Sequence, residues 1–232
     1  MNQLNVSPQE AVYEEIKNFT GCKPKGGDRL QQKLSQLITD NSLRLFIPWA
    51  ANMDGRTTLS AADRLTIDWL FDSNGLVQRI SKFGKVSCML MFADTYAMRN
   101  GFDMDSANEY WTNISASISE AAIVSFTATS LLEDAEMMFL RAKNAYAFER
   151  LIPAQRSKIL LAAAKYSGIV DEYEVYESAA EYSMLRAAEA DYVDKQLDAL
   201  WVSLNWPERD IMCGDVPRIY APETLRAPWL KE

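Results

Sequence analysis

The chain has 232 residues, 48% apolar and 24% charged, which fits an ordinary globular protein with a sizeable core. Lys and Arg number 24 against 32 Asp and Glu, a net charge of −8 that argues against a broad DNA footprint but leaves room for a local basic groove for tRNA. There is no histidine. That excludes Ser-His-Asp triads, Cys-His dyads, H-E-x-x-H zinc sites and the two-His iron triad, leaving Asp, Glu, Lys, Tyr and Cys as acids and bases.

Cysteines 22, 88 and 213 form no C-x-x-C pair, and an odd, scattered set fits a reducing compartment. The first twenty residues carry Glu10, Glu14 and Glu15 and lack an apolar h-region, and no apolar run reaches eighteen residues. A cytoplasmic protein without a membrane span is expected.

Taken in chain order, residues 8–19 read as a short helix with Pro8 in its first turn. A Gly- and Lys-rich loop, 20–27, leads to an amphipathic helix over 28–39 with Asp28 as the expected N-cap. Leu43–Trp49 is the first strand, ended or turned out of the sheet by Pro48. After the polar loop 50–59, Ser60 and Asp63 have capping-box spacing and open a helix to about Asp72. A second helical stretch reaches Phe83.

The apolar run 86–93 then reads as a strand buried on both faces, stopping abruptly at Asp94. Asp105 is the expected cap of a helix over 106–119, and 122–127 is a third strand. Segments 130–150, 153–166 and 171–204 read as helical throughout, and the last 25 residues, with Pro217, Pro222 and Pro228, as an extended tail. Alternating strands and helices over 43–127 imply βαβ units. The fold class expected is α/β, a Rossmann-like three-layer domain with a mostly parallel sheet and a helical C-terminal part. Its divisions are 1–128 as α/β core, 129–206 as helical part and 207–232 as Pro-rich tail.

Five constellations bear chemistry. Asp94, Thr95 and Tyr96, followed by Arg99 and Asn100, stand where parallel sheets place ligands. Asp94 would orient an amine or hydroxyl while Tyr96 packs on it; a capped turn and a covered sheet edge would give the same residues. Trp49, Asn52, Asp54 and Arg56 follow the other strand and would face the same crevice, although Asp54-Gly55 is also a common turn pair. Lys23, Lys25 and Arg29 among glycines could hold a phosphate, but a solvated loop explains them more simply. On 171–204, Glu177, Glu181 and Tyr182 could line a pocket, with Arg186 and Glu189 on the same helix, or form a charged outer face over an aromatic stripe. In the tail, Arg218, Tyr220, Arg226 and Trp229 fit docking onto the domain, with Arg226 able to close over an anion.

Over residues 28–130 the strand Leu-Arg-Leu-Phe-Ile-Pro-Trp (43–49), a polar loop, a capped helix and a strand ending Phe-Ala-Asp (92–94) resemble the isonitrile (isocyanide) synthases. Pro48 and Asp94 carry the match. The family's Phe/Lys/Ser loop and its Asp-Gly pair are absent, and Thr95 follows Asp94 here. The resemblance implies an amino acid whose amine becomes an isonitrile, with a pentulose phosphate as carbon source.

These readings point to a metal-independent biosynthetic enzyme, a transferase or synthase of secondary metabolism, acting on an amino acid or similar small polar metabolite without a cofactor. Asp94 and Tyr96 are the catalytic candidates, and Trp49, Asn52, Asp54, Arg56, Thr95, Arg99 and Asn100 the substrate-binding ones. The partner expected is a small molecule, with neither DNA nor membrane, and self-association stays open. The alternatives are a non-catalytic binding or assembly protein and an aminoacyl-tRNA-dependent transferase of cyclodipeptide synthase type.

Overall fold

A computed structural model describes residues 7–50, 55–99, 101–118, 123–127, 130–131, 133–167, 170–204 and 211–225. Its centre is a five-stranded, all-parallel sheet in the order β3-β2-β1-β4-β5. The strands are β1 (Ser42–Trp49), β2 (Lys85–Phe92), β3 (Ile123–Thr127), β4 (Ala199–Ser203) and β5 (Arg218–Tyr220). The helices are α1 (Pro8–Thr20), α2 (Gly27–Thr39), α3 (Ala61–Phe71), α4 (Leu76–Ser81), α5 (Asp94–Arg99), α6 (Met104–Ser117), α7 (Ala135–Lys143), α8 (Pro153–Ser167) and α9 (Glu172–Lys195).

Side chains alternate across each strand, so the sheet builds a core on either face. Leu43, Leu45, Ile47 and Trp49 of β1 join Val86, Cys88, Leu90 and Phe92 of β2, and Leu200 and Val202 of β4, under α1–α4 and α6. Phe46, Met91, Ala199 and Trp201 point the other way and pack with Met137 and Leu140 of α7 and Ala188, Ala190 and Val193 of α9. Helix α8 adds a small cluster in which Ile159 meets Phe148 and Ala179 of α9. The result is three layers, the α/β Rossmann-like architecture that the alternation of elements implied. Among the described residues no helix is long and apolar enough to cross a membrane.

The sequence reading departs from the structure at several places. Segment 171–204 is not helical throughout: the helix stops at Lys195, Asp198 adopts a positive φ of 49°, and Ala199–Ser203 enters the sheet. All five residues of β4 are buried, so the strand lacks the alternation that would have set it apart from a buried helical turn. The tail likewise contributes β5, three buried residues too short to show a period. Asp28 and Asp105 lie inside first turns; the N-caps are Gly26, without a side-chain bond, and Asp103, which accepts from the backbone N–H groups of Asp105 and Ser106. Residues 94–99 form helix α5, which begins directly at the end of β2. The Ser60–Asp63 capping box forms as read, each side chain accepting the other residue's backbone N–H.

Candidate functional site

Strand order reverses between β1 and β4: β2 and β3 lie on one side, β4 and β5 on the other. Open parallel sheets place ligands at such a point, beyond the carboxyl ends of the strands. Pro48 shapes it. Trp49 C=O accepts from Ala93 N–H, so odd-numbered residues of β1 bond toward β2 and the nitrogen of Pro48 faces β4 without a proton to donate. The β1–β4 register accordingly ends at Phe46↔Trp201, and the two strands part beyond it.

A three-residue link, 196–198, joins α9 to β4, so the helix runs back across the sheet antiparallel to the strand. Its C-terminal end lies at the amino ends of the strands, where Asp194 meets Arg29 and Lys33, and Lys33 bonds Asp198 at 2.8 Å. Tyr182 and Ser183 therefore lie toward the carboxyl ends. Between them and Asp194, Arg186 donates to Glu189 Oε2 at 2.9 Å, with both side chains about 5% exposed or less, and its guanidinium stands 4.5 Å from the centre of the Trp201 ring.

Helix α5 completes this face. The Tyr96 hydroxyl donates to Glu189 Oε2 at 3.3 Å, and its ring meets Tyr182 edge-on at 5.8 Å. Burial, and next the Glu189 charge, push the Tyr96 phenol well above its ordinary range, so it is a proton donor at neutral pH. Asp94 is buried at the head of the same helix and accepts Thr95 N–H at 2.8 Å. On the sheet floor Ser203 pairs with Tyr220, both buried. A carboxylate, a guanidinium and two phenols thus surround the switch point, a set able to hold an ammonium group and an oxyanion at once and to pass a proton through Tyr96.

The other candidates divide. Trp49 lies on the opposite face of the sheet from Tyr96 and is fully buried. Its indole N–H donates to the Tyr110 hydroxyl at 3.1 Å, and that hydroxyl donates to Asp63 Oδ1 at 2.8 Å. Asp63 Oδ2 also accepts Ser60 N–H and Ser60 Oγ–H at 2.8 and 2.7 Å. Half-buried Arg56 acts on this second cluster, its charge opposing the upward push that burial and Asp63 exert on the Tyr110 phenol. The structure therefore does not put Trp49 and Tyr96 on one wall. Asn52, Asp54 and Asn100 lie outside the described residues, as do Arg226 and Trp229; Arg99 is described as the last backbone position of α5.

Arg186 and Glu189 stand on the helix that the sequence leaves between a pocket wall and a charged outer face, and the structure buries both. The available signal was their spacing: with Ala179, Ser183 and Ala190 they share the 3–4 residue period of a face lined with small residues, which is the face that packs against the sheet. Among the loop cations of 23–29, Lys25 exchanges backbone hydrogen bonds with Arg218 and stands 5.4 Å from the Tyr220 ring, tying the loop to β5.

No family model matches the chain, and no curated protein matches it by sequence. Solved structures match the fold. Tyrosyl-tRNA synthetase from Archaeoglobus fulgidus, complexed with L-tyrosine, has a TM-score of 0.59 at 11% identity, over 91% of this chain and 64% of that one. Tyrosyl-tRNA synthetase from Leishmania major, complexed with tyrosinol, has a TM-score of 0.60 at 10% identity, over 94% and 32%. The PvcA protein from Pseudomonas aeruginosa has a TM-score of 0.51 at 13% identity, over 89% and 82%. The chain spans a third to two thirds of the length of the two synthetases. At these identities the likeness is one of fold.

Proposed function

We propose that the protein is a metal-independent biosynthetic enzyme acting on an amino acid or a similar small polar metabolite, bound at the β1/β4 switch point beneath α5 and α9. The observation that carries this reading is the Tyr96–Glu189–Arg186 cluster, which joins half-buried Tyr96, just beyond the carboxyl end of β2, to two buried charged side chains of α9. Charged groups are rarely buried without a function or a partner to offset the desolvation, and here two meet a phenol where the fold places ligands. Glu189 would hold the substrate amine, with Asp94 at the head of α5 as second carboxylate, and Tyr96 would donate or return a proton. Two of the fold neighbours are synthetases crystallised with L-tyrosine and with tyrosinol, which makes an amino acid the first ligand to try. Conversion of the amine, as the isonitrile synthase resemblance implies, is the reaction class proposed for Asp94 and Tyr96.

Thermal shift against the twenty amino acids, pentulose phosphates and nucleotides tests the reading. At least one amino acid or small metabolite should raise the midpoint, and Glu189→Gln or Asp94→Asn should abolish the rise. A flat response across the panel, with association that grows with protein concentration, would instead establish the binding or assembly alternative.

A second reading, aminoacyl transfer from charged tRNA, is supported by one observation. In a chain of net charge −8, residues 135–167 carry Arg141, Lys143, Arg150, Arg156, Lys158 and Lys165 against Glu136 and Glu149. Binding of aminoacyl-tRNA that weakens steeply with salt would favour it; no binding at low salt would remove it.

A further inference from the structure

On the α9 face of the sheet the Trp201 indole N–H and the Ser183 hydroxyl find no hydrogen-bond partner among the described residues, although both side chains are fully buried. Both adjoin Arg186. Ser183 precedes Arg186 by three residues on the inward face of α9, so the two side chains are neighbours, and the Arg186 guanidinium lies over the Trp201 ring. Leaving a buried donor unmet is costly, and native proteins mostly avoid it. The chemistry is one-sided: an indole nitrogen and a guanidinium can only donate, and a serine hydroxyl can turn to donate. Two unmet groups able to donate, each beside the same buried cation, call for an acceptor of negative charge.

Trp69 and Trp111 also lack an acceptor for their indole N–H. Their ring neighbours are apolar: Phe19 stacks on Trp69 at 5.9 Å and Phe92 on Trp111 at 5.5 Å. Trp201 differs in standing beside a buried cation, Arg186, whose neighbour on α9 is the buried Ser183 hydroxyl.

We infer that Trp201 Nε1, Ser183 Oγ and Arg186 form the subsite for an oxyanion of the substrate, a carboxylate or a phosphate, while Glu189 and Tyr96 take its amine. This rests on the substrate site proposed above and adds which end of the substrate points toward β4.

Indole ¹⁵N–¹H spectra of the whole protein test it, with the Trp201 resonance assigned through Trp201→Phe. L-tyrosine carries a carboxylate, ribulose 5-phosphate carries a phosphate, and L-tyrosinamide lacks an oxyanion. A carboxylate subsite shifts the Trp201 resonance with L-tyrosine, a phosphate subsite with ribulose 5-phosphate. L-tyrosinamide should leave it in place, and the Trp69 and Trp111 resonances should stay still with all three. Ser183→Ala should weaken the active probe roughly fivefold, the worth of one hydrogen bond, without lowering the melting temperature, because the hydroxyl has no partner to lose among the described residues. If a probe stabilises the protein and Trp201 does not move, the subsite is refuted while the proposed site stands. If no probe stabilises the protein or moves any indole, the site itself falls and the subsite with it.

Discussion

Replacing Tyr110 by Phe removes one oxygen and breaks two buried hydrogen bonds. Tyr110 is 1% exposed, Trp49 0% and Asp63 3%, so water does not take over either bond. The indole N–H of Trp49 loses its acceptor at 3.1 Å, and Asp63 Oδ1 loses its donor at 2.8 Å while Oδ2 keeps both bonds from Ser60. An orphaned neutral donor costs about 1–3 kcal/mol, and a lost bond to a carboxylate about 1.5–3 kcal/mol. The ring itself still fits, so no cavity adds to the sum. The expected loss is about 2.5–6 kcal/mol, a large share of the roughly 5–15 kcal/mol that holds a domain together. For a chain of this length that corresponds to a fall in melting temperature of about 5–24 °C. Urea unfolding measures it as a lower midpoint at unchanged slope. Combining Tyr110→Phe with Trp49→Phe should cost less than the sum of the two single variants, because the second change removes the stranded donor. A Tyr110→Phe loss below about 1 kcal/mol would refute the reasoning, since it would mean that the relay joining β1 to α3 and α6 bears no strain when cut.

Tyr96 and Tyr110 both have phenols pushed up from the usual value of 10, chiefly by burial. Above about pH 10 the unfolded chain releases these protons while the folded chain keeps them, so stability should fall with rising pH from there, more gently in Tyr110→Phe; thermal melts between pH 8 and 11.5 check the slope. Cys88 is buried and its thiol is pushed up to about 12, so native protein should react with thiol reagents at half-exposed Cys22 and not at Cys88 until denaturant is added. Gly26 has a φ of 123°, and a Cβ there would stand 2.6 Å from Pro217 Cα. Gly26→Ala should therefore cost about 2 kcal/mol or more and loosen the Lys25–Arg218 bridge that ties the loop to β5, seen as faster amide exchange at Arg218.

The fold was legible where local chemistry is strong. The Ser60–Asp63 box, the proline at the start of α1 and the apolar runs of β1 and β2 each state their element within a few residues. Strands β4 and β5 were not legible, because five and three fully buried residues carry no alternation, and parallel strands far apart in sequence pair through tertiary contacts alone. That omission moved the expected site. With only β1, β2 and β3 in view, the crevice is drawn between the loops after β1 and β2; with β4 in place the sheet reverses at β1, and the partners of Tyr96 come from α9. Asp94 and Tyr96 stay at the strand end in either view. Trp49 does not join them, because its odd position in β1 turns it to the other core.

The proline in β1 has a mechanical side. Strands β1 and β2 are joined through eight residue pairs, but β1 and β4 through three, Arg44–Phe46 with Ala199–Trp201. Such a short seam ties β4 and β5 to the rest of the sheet through few hydrogen bonds, the kind of unit that opens locally before the whole fold does. A substrate held between α5 and the α9–β4 unit would bridge that seam, so catalysis and cohesion would share one joint. The same missing hydrogen that parts the strands would let the bound molecule act as a rivet.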